Sequence, residues 1–321
     1  MNTHVHQYQA LVRREFWEHR GAFFTTPVVI LTVIIGFTIL GLIWFYYIAG
    51  GTRIVTDEFT FTGVGDLVRM LEDTNPQDRA MAINGMLYGS TVVFNIALLF
   101  YVFFYFLGSL YDDRKDKSVL FWKSLPVSDT KTVLSKWFSG AVTAPMLAWV
   151  GIVVTQLGLL VIMTVIAWTS GASASNLIWG PAEPLQIAWT MLVAYIVQSL
   201  WWAPFHAWLL LASAFARRAA FLWATVPLVL VGFAEAYLNY SWNFFRLLAE
   251  RIGGGVIPLQ LDLDEDVHIG IMNLDPERAT LSVDMGAVTD LLTSVEMLWG
   301  WVVAAVFISA AIWLRRYRDE T

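Results

Sequence analysis

The chain contains no cysteine in its 321 residues. That excludes disulfides, thiolate metal sites and a cysteine nucleophile, and it leaves the redox compartment undetermined. Charge is scarce too: 14% of residues are Asp, Glu, Lys or Arg, where soluble domains carry roughly a quarter. Catalytic signatures are missing. There is no G-x-x-x-x-G-K-[S/T], so the chain has no P-loop of its own, and there is no G-x-S-x-G, H-E-x-x-H or G-x-G-x-x-G. No catalytic residue is assigned and the chain is read as not itself an enzyme. His4 and His6 form an H-x-H with no further convincing ligand nearby, so no metal site is expected. No basic surface free of acidic partners exists, which speaks against nucleic acid.

What is present is apolar. Hydrophobic residues make up 57% of the chain, mean hydropathy is +0.60, and there are 16 Trp and 11 Tyr. Amphipathic rings collect at membrane interfaces. The composition therefore describes a polytopic membrane protein in which the lipid bilayer replaces much of a core, with residues 1–321 forming a single all-α membrane domain. The first 20 or so residues are polar and are not expected to be a cleavable signal peptide. A spanning helix takes about 20 mostly apolar residues. Six spans are predicted: Pro27–Ile48, Gly85–Leu110, Trp137–Trp168, Leu185–Phe215, a fifth that starts after Arg217-Arg218 and includes or ends near Glu235, and Met297–Leu314. Lys and Arg mark the cytoplasmic side. Placing both termini there puts fourteen of the 20 basic residues on that side. A multi-pass protein of the cytoplasmic (inner) membrane is expected, with both termini cytoplasmic.

Outside the spans, residues 1–20 read as an amphipathic interface helix, with Tyr8, Leu11, Val12, Phe16 and Trp17 on one face and Arg13, Arg14, Glu15 and Glu18 largely elsewhere. Extended acidic outer loops follow spans one and five, at residues 50–84 and 239–293. Asn75-Pro76 has the form of an N-cap with proline at the first helical position. GDLVRMLED, from Gly65, reads as a short helix. SWNFFRLLAERI, from Ser241, reads as an interfacial helix with Arg246 and Glu250 one turn apart. LQLDLDED, from Leu259, alternates weakly like a strand, and its acidic run lacks the spacing of an EF-hand loop.

Polar groups inside the spans are candidate pathway-lining residues: Asn95, Gln156, Gln198, His206 and Glu235. The bland alternative is helix–helix hydrogen bonding for the first four and an interfacial carboxylate for Glu235. Pro27, Pro145, Pro204 and Pro227 are expected to kink four spans.

The least ordinary stretch is YDDRKDKSVLFWKSLPVSDTKTVLSK, residues 111–136. It holds all five lysines, Lys115, Lys117, Lys123, Lys131 and Lys136, between long charge-free runs. Pro126 disfavours helix at Leu125, and Ser128 or Asp129 can cap a new helix. A helix–break–helix elbow below the membrane is predicted. Lysines alone would suit anionic headgroups. Interleaved Asp112, Asp113, Asp116 and Asp129 around the apolar Val119–Trp122 suit a protein partner, whose complementary charges fix register.

These residues carry a resemblance. The pattern D-R-x-x-x-S-x-x-F-x-x-S-L-P-V-S, on Asp113, Arg114, Ser118, Phe121 and Ser124–Ser128, resembles the cytoplasmic loop between spans two and three of ABC-2 type transporter permeases. LVRREFWEHRGAFFTTPVV is similar to that family's leading helix. The resemblance implies that residues 111–136 are a coupling helix seated in a separate ABC ATPase subunit, with Asp113, Arg114, Lys117, Phe121, Trp122, Ser124, Leu125, Pro126, Val127, Ser128 and Asp129 at the contact. It implies no cofactor on this chain, ATP and Mg²⁺ on the partner, two permease copies (a homodimer) with two ATPases, a substrate path between the permeases, and export or extraction from the inner leaflet. The competing readings are a proton-coupled secondary transporter using Glu235 or His206, and a non-transporting membrane scaffold or assembly factor.

Overall fold

The computed structural model describes residues 2–49, 54–55, 60–61, 64–116, 127–253, 268–269, 272–275 and 280–317. Two predictions fall outside them: the elbow itself at residues 117–126, and the acidic run Asp262–Asp266.

The chain opens with helix α1 (Asn2–Glu18) and enters α2 (Thr26–Ala49) through a widened turn, Gly21–Thr25. A short antiparallel pair, β1 (Ile54–Val55) and β2 (Thr60–Phe61), and helix α3 (Val64–Asp73) lead to the long α4 (Pro76–Gly108). Asn75 caps α4 as its sequence announces: Asn75 Oδ1 accepts from the Asp78 amide at 2.8 Å, with Pro76 at the first helical position. After a break at Ser109–Leu110 the helix resumes as α5 (Tyr111–Lys115). Ser128 Oγ accepts from the Lys131 amide and starts α6 (Asp129–Phe138), which passes through a second widened turn, Ser139–Thr143, into α7 (Ala144–Thr169).

Both widened turns sit directly before a proline. The Thr26 amide bonds Gly21 O and the Ala144 amide bonds Ser139 O, five residues back, ahead of Pro27 and Pro145. Proline lacks the N–H that would bond four residues back, and a π-type turn re-satisfies the neighbouring carbonyls. Pro204 acts more strongly. Span four is two helices, α8 (Pro184–Trp201) and α9 (Ala203–Phe215), the latter bent by 55° from the Ser175–Trp201 run that contains α8. Pro227 lies inside α10 (Ala220–Asn239) without ending it.

Tyr240 ends α10 in the left-handed region, at φ 49°. Helix α11 (Asn243–Gly253) then packs back on α10, with Phe245 pressed against Gly232, where a Cβ has no room. A three-stranded antiparallel sheet follows, β3 (His268–Ile269), β4 (Met272–Asp275) and β5 (Thr280–Val283); the sequence reading had not foreseen it. Val283 packs with Val193 and Val197 of α8. Helices α12 (Met285–Thr293) and α13 (Val295–Tyr317) complete the fold.

Among the described residues, five helical runs are long and apolar enough to cross a membrane: Gly21–Tyr47, Pro76–Lys115, Asp129–Thr169, Ala220–Asn239 and Val295–Tyr317. There are six if the bent pair is one crossing. Of the two extents open for the fifth span, the helix takes the one that includes Glu235, running to Asn239, and that carboxylate is satisfied near its end. Glu235 accepts from Ser241 Oγ at 2.9 Å and from the Phe244 amide at 2.7 Å.

Small residues set the tightest packing. Ala203 and Ala207 of α9 meet Ala304 of α13, which lets the backbones approach closely. By contrast α2 and α10 leave broad apolar faces bare, with Phe37, Tyr47, Leu230 and Tyr237 exposed. In water such a face would be a liability; in hydrocarbon it is an ordinary surface.

Candidate functional site

The described flanks of residues 111–136 converge on a buried ion-pair cluster. Lys136 lies on the inward face of α6 with Thr132 and Val133, and its side chain is 1% exposed. Its ammonium is 3.1 Å from Glu15 Oε1 on α1 and 3.4 Å from Asp113 Oδ2 on α5. Arg315, in the last turns of α13, reaches Asp113 Oδ2 at 3.5 Å and Asp129 Oδ1 at 3.1 Å. Arg14 stands 3.5 Å from Glu15 and 3.9 Å from Asp113. The Tyr105 hydroxyl lies 3.2 Å from both Glu15 Oε2 and the Lys136 carbonyl, and donates to one at a time. Three carboxylates thus meet three cations, which is what allows ionised groups to stay buried.

A second tie fixes the same corner. Arg114 donates to the carbonyls of Ser213 at 2.5 Å and Ala216 at 2.8 Å, at the end of α9. Ser213 Oγ accepts from the Leu110 and Tyr111 amides at 3.0 and 2.9 Å. These are the N–H groups left open where the helix breaks. The leading helix, both flanks of the loop, span four and the last span are therefore bound at one end of the bundle. Lys131 Nζ to Gln7 Oε1, 2.7 Å, and the Tyr8 hydroxyl to Leu134 O, 3.2 Å, hold α1 along α6. His19 closes the far side, its ring edge-to-face on Tyr105 at 4.9 Å. Burial pulls the His19 pKa below its usual 6.5, against an opposing pull from Glu15.

The sequence reading gave Asp113, Arg114 and Asp129 to a partner surface. The structure turns Asp113 inward and fastens Arg114 to backbone carbonyls, so Asp113 and Asp129 are taken up by internal ion pairs while Asp112 and Asp116 stay exposed. Ser128 caps α6 and Val127 precedes it, half-buried. Lys117, Phe121, Trp122, Ser124, Leu125 and Pro126 lie outside the described residues. Glu15 had been placed largely on the polar face of α1; it is buried, and with Lys136 and Arg315 it was missed. The available signal was the long charge-free run that begins directly after Lys136.

Of the pathway candidates, three share one cavity. Asn95, Gln198 and His206 line a space of about 110 Å³ between α4, the start of span three and span four. Asn95 Oδ1 accepts from the Tyr195 hydroxyl at 2.5 Å. Gln156 is elsewhere, donating to Leu87 O at 3.3 Å as a helix–helix contact. Glu235 is engaged at the turn into α11. At the opposite end of the bundle Arg251, also unforeseen, stacks on Trp201 at 3.9 Å and donates to Glu296 O at 3.0 Å.

The long apolar helices among the described residues define a multi-pass helical membrane protein. Residues 80–180 match the family model described as ABC-2 family transporter protein. The recognition drawn from the loop residues is supported: this part of the chain is similar to ABC-2 type permeases, the membrane components of ABC transporters, which are not themselves catalytic and generally work with an ABC ATPase. No curated protein and no solved structure matches the chain.

Proposed function

We propose that this chain is the membrane-spanning permease subunit of an ATP-driven exporter, and that residues 111–136 form the elbow through which a separate ATP-binding subunit moves the spans. The observation that carries the reading is the Glu15–Asp113–Lys136–Arg315 cluster. The two flanks of the elbow are fastened to three other helical segments, so a displacement of the elbow is delivered to the leading helix, span four and the last span as one body. A loop that only met lipid headgroups would need no such anchorage. ATP and Mg²⁺ belong on the partner, and the assembly is two permeases with two ATPases in the inner membrane, termini cytoplasmic. Both oxygens of Glu235 already accept hydrogen bonds, which favours this reading over proton carriage by that residue.

The test is purification of the tagged chain from its own membranes. A protein with an ATP-binding cassette should co-purify in equal amounts, and Leu125→Asp with Pro126→Gly should release it while the chain stays folded. A chain that purifies without any such protein contradicts the proposal.

A further inference from the structure

The cavity at the span-four bend holds an unexplained group. His206 is buried at 3% exposure, and neither ring nitrogen has a hydrogen-bond partner. Its ring is stacked on Phe106 at 4.7 Å, so it cannot swing freely to find one. Trp202 Nε1, in the same lining, is buried and without a partner too. Leaving such groups unsatisfied costs free energy in a bundle interior. The space beside them is not filled by protein. About 110 Å³ exceeds the roughly 10–15 Å³ a single water needs by the same measure, and it approaches the scale of engineered cavities that take up benzene.

The space lies at the bend. The helical run breaks at Trp202, ahead of Pro204, and the two halves meet at 55° beside the cavity they line. Ile96, in its lining, is 53% exposed on the apolar side of α4 that also bares Val93 and Phe100, so the cavity reaches that surface. His206 lies nine residues before the end of α9, roughly 14 Å into the slab. A molecule enters such a cavity from the hydrocarbon phase. No charged residue lines the cavity, so an ionised ligand would enter without a counter-charge. An uncharged imidazole offers one donor and one acceptor. Together with the indole N–H, these fit a hydroxyl or primary amide.

We infer that this cavity is a binding site for an uncharged amphiphile taken from the bilayer, with a single hydroxyl or amide head held by His206 and Trp202 and a short apolar body against Leu98, Leu99 and Val102. The site belongs to one protomer and its binding requires no ATPase, so it stands or falls independently of the transport reading.

The test uses the full-length chain in lipid nanodiscs, a diazirine analogue of octanol as photolabel, and peptide mapping by mass spectrometry. Labelling should concentrate on the cavity-lining peptides around residues 95–102 and 195–206, and excess octanol should compete it. His206→Leu should weaken that competition about fivefold to tenfold, the loss of a buried hydrogen bond. Ser199→Leu, which fills the cavity without removing the imidazole, should abolish the labelling and covers the case in which His206→Leu does not fold. A diazirine analogue of octanoate should not label the site. Labelling spread evenly over lipid-facing residues, indifferent to octanol and to Ser199→Leu, would mean that the cavity holds water only and would overturn the inference. Competition unchanged in folded His206→Leu, or equal labelling by octanoate, would overturn the assigned head group.

Discussion

Lys136 and Glu15, separated by 121 residues, form an ion pair at 3.1 Å with both side chains 1% exposed. Neither charge reaches water, so Lys136 depends on Glu15 and Asp113, and Glu15 on Lys136 and Arg14. This pair joins the leading helix to α6, the flank that follows residues 117–126. Lys136→Met leaves two buried carboxylates without the nearer of their two shared cations, and should destabilise the protein by about 3–5 kcal/mol. Adding Glu15→Gln removes one of those charges and should recover part of the loss. Thermal unfolding of the purified protein in a fixed detergent reads both. Equal stability of the single variant and the parent would show that the cluster does not hold this corner.

Arg114 acts through geometry as well as charge. Its Nη2 donates to the carbonyls of Ser213 and Ala216 while its Nε donates to Leu110 O at 3.4 Å, a spread over two nitrogens that a lysine cannot reproduce. Arg114→Lys should therefore be nearly as damaging as Arg114→Ala, with losses of roughly 1.5–3 kcal/mol. A lysine variant as stable as the parent would mean that the cation alone matters.

His19 gives the corner a pH response. Its folded-state pKa lies below 6.5, so the folded form prefers the neutral ring. The stability it supports is present above the unfolded value and is lost as pH falls through 6.5 toward the folded pKa. Hydrogen exchange of α1 should accelerate over that range, and His19→Gln should flatten the response. Acceleration of the same size in the variant would place the titrating group elsewhere.

Packing of α11 depends on a missing side chain. Gly232→Ala puts a Cβ into the Phe245 ring, and over-packing of this kind costs about 1–3 kcal/mol. The variant should expose α11 to proteolysis while the ion-pair cluster stays protected. Unchanged cleavage would show that α11 is held by other contacts.

The parts of the fold that local chemistry writes into the chain were legible. Asn75-Pro76 and Ser128 announced helix starts, charge-free runs announced spans, and the lysines singled out residues 111–136. Pro204 announced a kink, though not that span four would divide into two helices there. Less legible was anything decided by distant packing. Glu15 sits on the polar side of α1 by periodicity, yet it is buried because Lys136 meets it from another helix. The strands after α11 are short, and β5 is held by α8, a contact local pattern does not encode. His206 and Asn95 read as isolated polar residues until the bend at Trp202 brought them to one cavity, whereas Glu235 was claimed by a turn six residues ahead.

The central claim is that the elbow meets an ATP-binding subunit, and site-specific photocrosslinking tests it most directly. A photoreactive amino acid at Leu125, introduced in the full chain and irradiated in native membranes, should crosslink to a protein bearing an ATP-binding cassette. The yield should change when nucleotide is added. Crosslinks confined to lipid, with no such protein captured in either nucleotide state, would contradict the account.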